Sequence, residues 1–166
     1  MDAKGAPHIS MFAANTDMEA IIFIGIQATG KSTFYKERFF RSHVRINMDM
    51  LRTRHRERLL FSACIEMKQP FVVDNTNPTR NDRKRYIDQA KENKFKIIGY
   101  YFSSEIYQSL ERNRKRSERE QIPEKGIKGT YSNLELPDYY EGFDELYYVK
   151  TNENGGFDVS GWEIEK

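Results

Sequence analysis

The sequence predicts an α/β protein in three layers, a parallel sheet sandwiched between helices. Three observations predict it. Short apolar runs end at glycine or aspartate, helical stretches of about ten or more residues separate them, and the 166-residue length suits one domain. A chain of this length buries roughly 68–70% of its unfolded surface and can hold a core without staples.

The elements follow in order. Ile21–Ile24 is apolar throughout and stops at Gly25, as suits a strand buried on both faces. Lys31 to about Phe40 is a helix, and Val44–Asn47 is a second short strand. One long helix is expected from about Met50 to Met67, with Leu51, Leu59, Leu60, Ala63, Cys64 and Met67 as a broken apolar stripe. Phe71–Val73 ends in Asp74 and reads as a third buried strand. A helix from about Arg80 to Asn93 leads into a strand over Phe95–Phe102. Ile106 to about Glu120 is a charge-dense helix that stops before Pro123, and Leu146–Val149 is a late strand. With no repeat or low-complexity linker, residues 18–166 read as a single domain. Residues 1–17 read as a flexible extension or expression remnant, with Met18 a candidate natural start.

Composition removes several classes. The single cysteine, Cys64, excludes an internal disulfide framework and fits a reducing compartment. The 38% hydrophobic and 31% charged content is that of an ordinary folded protein. No apolar stretch approaches the ~18 residues of a membrane helix, and residues 1–17 lack a signal-peptide core, so a cytoplasmic location is expected. The net charge of +2 hides a split: residues 1–133 are net +9 and residues 134–166 net −7. A basic body carries an acidic tail, which either packs against that body or shields its edge.

Gly25-Ile26-Gln27-Ala28-Thr29-Gly30-Lys31-Ser32 fits G-x-x-x-x-G-K-[ST] at every fixed position, with a strand before it and a helix after it. The glycines let successive N–H groups point inward as a nest for phosphate oxygens, and the following helix adds its positive dipole end. Lys31 can reach the β- and γ-phosphates, and the Ser32 hydroxyl can ligand Mg²⁺. A P-loop NTPase or kinase fold that binds a nucleoside triphosphate with Mg²⁺ is therefore expected.

Three further groups bear on what the triphosphate is for. Asp49 and Arg52, three apart on a predicted helix, share a face. The carboxylate can accept a proton from a hydroxyl while the guanidinium holds an anionic part of the same acceptor; a plain helix cap explains Asp49 equally well. Asp74-Asn75-Thr76-Asn77 sits at the carboxyl end of a strand, where parallel sheets place ligands. Asp74 can steer Mg²⁺ through a water, with Thr76 and Asn77 bonding substrate, and an Asx turn before Pro78 is the alternative. Arg112, Arg116 and Arg119 fall on one helical face, placed either to cover the transferring phosphoryl group or to be solvated beside Glu111, Glu118 and Glu120.

Here the residues resemble the polynucleotide 5′-hydroxyl kinases, P-loop kinases that phosphorylate DNA and RNA ends. The match comprises the loop over Gly25–Thr33, an N-x-D-x-x-R element at Asn47, Asp49 and Arg52, a D-N-T-N element at Asp74–Asn77, and a lid motif at Arg112, Asn113, Lys115 and Arg116. It covers about Glu19 to Ile122 in the family's order. The resemblance implies Asp49 as general base on the 5′-hydroxyl. It implies Arg52 and Thr76 on the acceptor's phosphate, Lys31 and Arg116 on the transferring phosphoryl, and Arg112 on ATP from a helical lid over about 111–125. The chain departs at Met48, where many members have arginine, and resembles a stand-alone kinase domain without the phosphatase.

The acceptor stays open at this point. Seven arginines lie between Arg38 and Arg58, either lining an entrance for a phosphate backbone or scattered in solvent. A nucleic-acid 5′ end is the leading acceptor. A small-molecule kinase acting on a nucleoside, sugar or sugar nucleotide is second, and a non-enzymatic NTP switch third. Nothing in the sequence demands a membrane or an obligate protein partner.

Overall fold

Alternate residues of β1 (Glu19–Ile24) face opposite sides of the sheet, and both sides are apolar, so the strand runs through the centre of the molecule. The computed structural model describes residues 18–163, and the expectation for residues 1–17 lies outside them. After β1 come α1 (Lys31–Arg38), β2 (Val44–Ile46), α2 (Met48–Leu51), α3 (Arg54–Met67), β3 (Phe71–Val73), α4 (Arg80–Glu92) and β4 (Lys96–Phe102). They are followed by α5 (Ile106–Arg114), α6 (Glu124–Asn133), a 3₁₀ turn (Tyr139–Glu141), β5 (Glu145–Thr151) and β6 (Phe157–Gly161).

The six strands lie in the order β2-β3-β1-β4-β5-β6. The chain fills one side of β1 with β2 and β3, then crosses to the other with β4 and β5. The crevice beyond the carboxyl end of β1 is thus the topological switch point, where open α/β sheets hold ligands. One face of the sheet packs Ala20, Ile22 and Ile24 against Phe61, Cys64 and Ile65 of α3 and Tyr86, Ile87 and Ala90 of α4. The other packs Ile21 and Phe23 against Phe34 and Tyr35 of α1. A smaller cluster of Ile26, Leu110 and Ile127 docks α5 and α6 over the loop that leaves β1. The expected three layers are present.

Four elements differ from expectation. The sheet is mixed, because β6 runs antiparallel to β5. A short turn closed by Asn152 N–H donating to Gly156 C=O reverses the chain, whereas a parallel strand would need a long crossover. The long helix over 50–67 is two helices. Arg52 takes φ +73°, and the Thr53 hydroxyl accepts from Arg56 N–H to restart the helix. The helix from Ile106 ends at Arg114 rather than Glu120, because the Asn113 side-chain amide donates to Ile122 C=O and accepts from Ile122 N–H, which folds the chain back. Helix α6 was not foreseen, since Ile127 is its one buried residue and Gly126 and Gly129 interrupt it.

The acidic tail packs against the basic body. Glu141 pairs with the wholly buried Arg83 at 2.7 Å, and Glu145 pairs with Lys96 at 2.7 Å.

Candidate active site

The loop from Gly25 to Gly30 is held from below and curled from within. Gly25 N–H donates to Thr76 C=O at 3.0 Å, and the Thr29 hydroxyl donates to Ile26 C=O at 2.9 Å. Positive φ at Ala28 (60°) and Gly30 (92°) turns the backbone into a concave nest at the start of α1. A Cβ on Gly30 would lie 2.9 Å from the Phe157 ring, so β6 buttresses the loop through contact that only glycine admits.

The Lys31 ammonium is buried in this nest and donates to the carbonyls of Gly25 (2.9 Å) and Ile26 (2.5 Å). Burial lowers its pKa to about 8; Asp74 and Asp49 pull it upward and Arg116 pushes it down. These charges therefore share one site although they come from four separate segments.

That site is a cavity of about 630 Å³ at the switch point. Gln27, Ala28, Thr29, Gly30, Lys31, Ser32 and Thr33 form one wall, with Gly25 behind them. Asp49, Asp74, Thr76, Asn77 and Arg116 also line it. Asn47 and Asn75 staple this second wall together. Asn47 Nδ2 donates to Asp74 C=O at 2.6 Å, and Met48 N–H donates to Asn75 Oδ1 at 2.9 Å. The cap of α2 is Asn47, whose Oδ1 accepts from Met50 N–H, so Asp49 is not the cap. Its carboxylate is exposed in the cavity and has no hydrogen-bond or ion-pair partner among the described residues.

Asn77 is 4% exposed and takes φ +43°. Its amide donates to Phe23 C=O at 2.8 Å, so it ties β3's exit to β1 as well as lining the cavity. Arg116 reaches the cavity from the turn after α5, not from a shared helical face with Arg112 and Arg119. Arg112 instead sits outside the lining and contacts Ala28 C=O at 3.5 Å and the Thr151 hydroxyl of β5. Arg52 closes α2 and is exposed, also outside the lining.

Sequence reasoning missed four neighbours. Arg45 was one of seven arginines with nothing to single it out. Its guanidinium bonds Asp74 Oδ2 and the Ser32 hydroxyl. Arg54, Arg85 and Tyr86 also line the cavity, and only the helix break at Arg52 makes Arg54 the first residue of α3.

The residues present fit a divalent hard cation. The Ser32 hydroxyl and Asp74 carboxylate meet at 3.1 Å, an oxygen pair suited to Mg²⁺ completed by phosphates and water. Among the described residues no cluster of three or more His, Cys, Asp or Glu could cage an ion alone. Two buried polar atoms on the cavity residues, Gln27 Oε1 and Asn75 Nδ2, lack partners.

Comparison with known proteins agrees with the fold. The family model for the AAA domain matches residues 52–137. A bifunctional polynucleotide phosphatase/kinase of Schizosaccharomyces pombe is 26% identical over 155 residues, 88% of this chain and 37% of that protein. A putative bifunctional polynucleotide phosphatase/kinase of Acanthamoeba polyphaga mimivirus is 30% identical over 139 residues, 79% of this chain and 33% of that one. The chain thus spans about a third of the length of these relatives. Among solved structures, Chaetomium thermophilum Kti12 in complex with ADP-AlF3 superposes with a TM-score of 0.61 at 16% identity, covering 82% of this chain and 92% of that one.

Proposed function

The chain belongs to the AAA domain family, and from that premise we propose that it is an ATP-dependent kinase acting on the 5′-hydroxyl of a DNA or RNA end. The observation that carries the reading is the unpartnered Asp49 carboxylate, which shares one cavity with Lys31 and Arg116.

The chemistry assigns each group a task. The acceptor hydroxyl gives its proton to Asp49 as its oxygen bonds to the γ-phosphorus. The bond from that phosphorus to the β,γ-bridging oxygen breaks, and ADP departs with the electron pair. Negative charge spreads over the γ-phosphate oxygens, where Lys31 and Arg116 stabilise it. The nest from Gln27 to Thr33 holds the α- and β-phosphates through backbone N–H groups. Ser32, and Asp74 through a water, would hold Mg²⁺, which would supply neutralisation of phosphate charge. Thr76 and Asn77, which line the cavity, are assigned to the acceptor, and Arg112 contacts the loop at Ala28 C=O.

The polynucleotide acceptor is supported by the two polynucleotide phosphatase/kinase relatives and by the motif order over residues 25–116. The test offers radiolabelled ATP and Mg²⁺ with 5′-hydroxyl DNA, 5′-hydroxyl RNA, nucleosides and sugars. Label on the oligonucleotides is expected. Label confined to a sugar or nucleoside would replace this reading with that of a small-molecule kinase. Hydrolysis without transfer to any acceptor would favour a switch.

A further inference from the structure

The turn that follows α5 carries an exposed serine in a run of charges. Arg114-Lys115-Arg116 precedes Ser117, and Ser117, Glu118, Arg119, Glu120 and Gln121 are all exposed. The Ser117 hydroxyl donates to Glu120 Oε2 at 2.8 Å. The Ser117 carbonyl accepts from the N–H groups of Glu120 and Gln121 at 2.9 and 3.0 Å, and Gln121 Nε2 donates to the carbonyls of Arg114 and Arg116 at 3.2 and 2.9 Å. The backbone of the turn is thus held from within, and the hydroxyl stands at its surface on a single carboxylate.

The cations around that hydroxyl are not equivalent. Arg114 pairs with Glu124 at 2.8 Å, and Lys115 pairs with Glu111 at 3.0 Å. The side chains of Arg116 and Arg119, one residue before Ser117 and two after it, have no hydrogen-bond or ion-pair partner among the described residues. Arg116 lines the cavity, close enough to Lys31 to disfavour that ammonium's charge. The repulsion is mutual, so an anion at residue 117 draws Arg116 outward and relieves it.

We propose that Ser117 is a phosphorylation site for a serine kinase with an acidic substrate groove, and that its phosphate takes Arg116 out of the cavity and weakens triphosphate binding. This is a regulation of the proposed kinase site and rests on that reading. The three cations before the hydroxyl are the recognition signal, since such enzymes select substrates by charge pattern. In the step, Ser117 Oγ bonds to the γ-phosphorus of an ATP held by the modifying kinase. The bond from that phosphorus to the β,γ-bridging oxygen breaks, ADP leaves with the electron pair, and the hydroxyl proton passes to a base of the modifying kinase. The ester brings a charge of about −1.5 to −2 and replaces a donor with acceptor oxygens. Glu120 then repels residue 117, while the guanidiniums of Arg116 and Arg119 bond it as planar forks. Arg116 is assigned to the γ-phosphate, so a triphosphate loses more affinity than a diphosphate.

The site is tested on the whole chain carrying Lys31→Met, which removes self-transfer. It is incubated with ATP, Mg²⁺ and the catalytic subunit of cyclic-AMP-dependent protein kinase, and peptide mass spectrometry locates the phosphate. Phosphate on Ser117 is expected; modification only elsewhere, or none, overturns the site. In wild type modified to one phosphate, calorimetric titration should show affinity for β,γ-imido-ATP falling by about tenfold and that for ADP by less than about threefold. Ser117→Ala, treated identically, should keep both affinities. Arg116→Ala, brought to the same intact mass, should lose less than about twofold further affinity for the ATP analogue. A full further loss in Arg116→Ala overturns the role of Arg116, as does an equal loss for both nucleotides or no loss in wild type. Thermal unfolding is followed alongside, since loss of fold would lower both affinities together. Transfer to 5′-hydroxyl oligonucleotides is read separately. Its absence in the unmodified chain would remove the kinase reading, while the nucleotide titrations still decide what the phosphate does to Arg116.

Discussion

Arg45 lies across the carboxylate of Asp74, with Nε 2.8 Å and Nη2 2.7 Å from the same Oδ2, and its Nη2 also reaches the Ser32 hydroxyl at 2.9 Å. Asp74 is 2% exposed, so this guanidinium neutralises a buried charge. It does so at the Ser32 hydroxyl and the Asp74 carboxylate, the oxygens that would hold Mg²⁺, the first directly and the second through a water. Arginine and metal compete for one place. Replacing Arg45 with alanine is therefore expected to tighten Mn²⁺ binding, measured by electron paramagnetic resonance with a non-hydrolysable ATP analogue, by about tenfold or ~1.4 kcal/mol. Unchanged or weaker metal binding would show that the guanidinium supports the site instead.

Asp49→Asn keeps the shape of the side chain and removes its basicity. Phosphoryl transfer should fall by about 10²–10⁴-fold, the usual share of a positioned general base. ATP affinity should hold, because Asp49 belongs to α2 and not to the backbone nest that holds the phosphates. Single-turnover transfer and equilibrium nucleotide titration measure the two separately, and a variant that transfers at the wild-type rate would remove Asp49 as the base.

The lowered pKa of Lys31 has two consequences with opposite signs. Its proton is held with a pKa of about 8 in the fold against an ordinary 10.5. Between those values the unfolded chain binds a proton that the fold has released, so this group's contribution to stability rises with pH across the window. Triphosphate binding goes the other way, because the anion needs the ammonium. The dissociation constant for ATP should increase as pH rises through about 8. Proton uptake on binding, seen by calorimetry in buffers of different ionisation enthalpy, should peak just above that pH. Lys31→Met should abolish the uptake; uptake that survives belongs to another group.

Arg83 is 0% exposed and makes five hydrogen bonds. Two go to Glu141, and one each goes to the carbonyls of Asn77, Pro78 and Glu135. It joins the strand exit that lines the cavity to the acidic tail. Arg83→Met should cost about 3–5 kcal/mol in denaturant unfolding, the range for breaking a buried ion pair at one partner. A loss below about 1 kcal/mol would mean that the tail is held by other contacts.

How much of this was legible in the sequence depended on how local the cause was. The loop at Gly25–Ser32 was readable because its glycines, its lysine and its flanking strand and helix are neighbours in the chain. Asp49 and Asp74 were readable because each follows a strand that ends at the same sheet edge. The arginines were not sorted by sequence. Arg52 and Arg112 stood in motif positions but lie outside the cavity lining, while Arg45 and Arg54 lay unmarked in a crowd. What sorted them was one residue with positive φ, Arg52 itself, together with the pairing of β2 to β3 that brings Arg45 over Asp74.

The acidic tail marks the same boundary. Its net charge was plain from composition, but its use was not, because β6 is a mostly exposed edge strand with little hydrophobic signature. By itself the sequence determined the layered architecture, the triphosphate nest and the catalytic pair of Lys31 and Asp49 as candidates. All of these follow from local periodicity and short-range backbone geometry. Only the tertiary structure decided that Phe157 buttresses Gly30, that Arg83 is sealed by Glu141, and that Arg45 rather than a solvent shell meets Asp74. Those contacts join residues 29 to 127 positions apart. Burial and pairing across such separations are set by how the layers close, which no local pattern encodes.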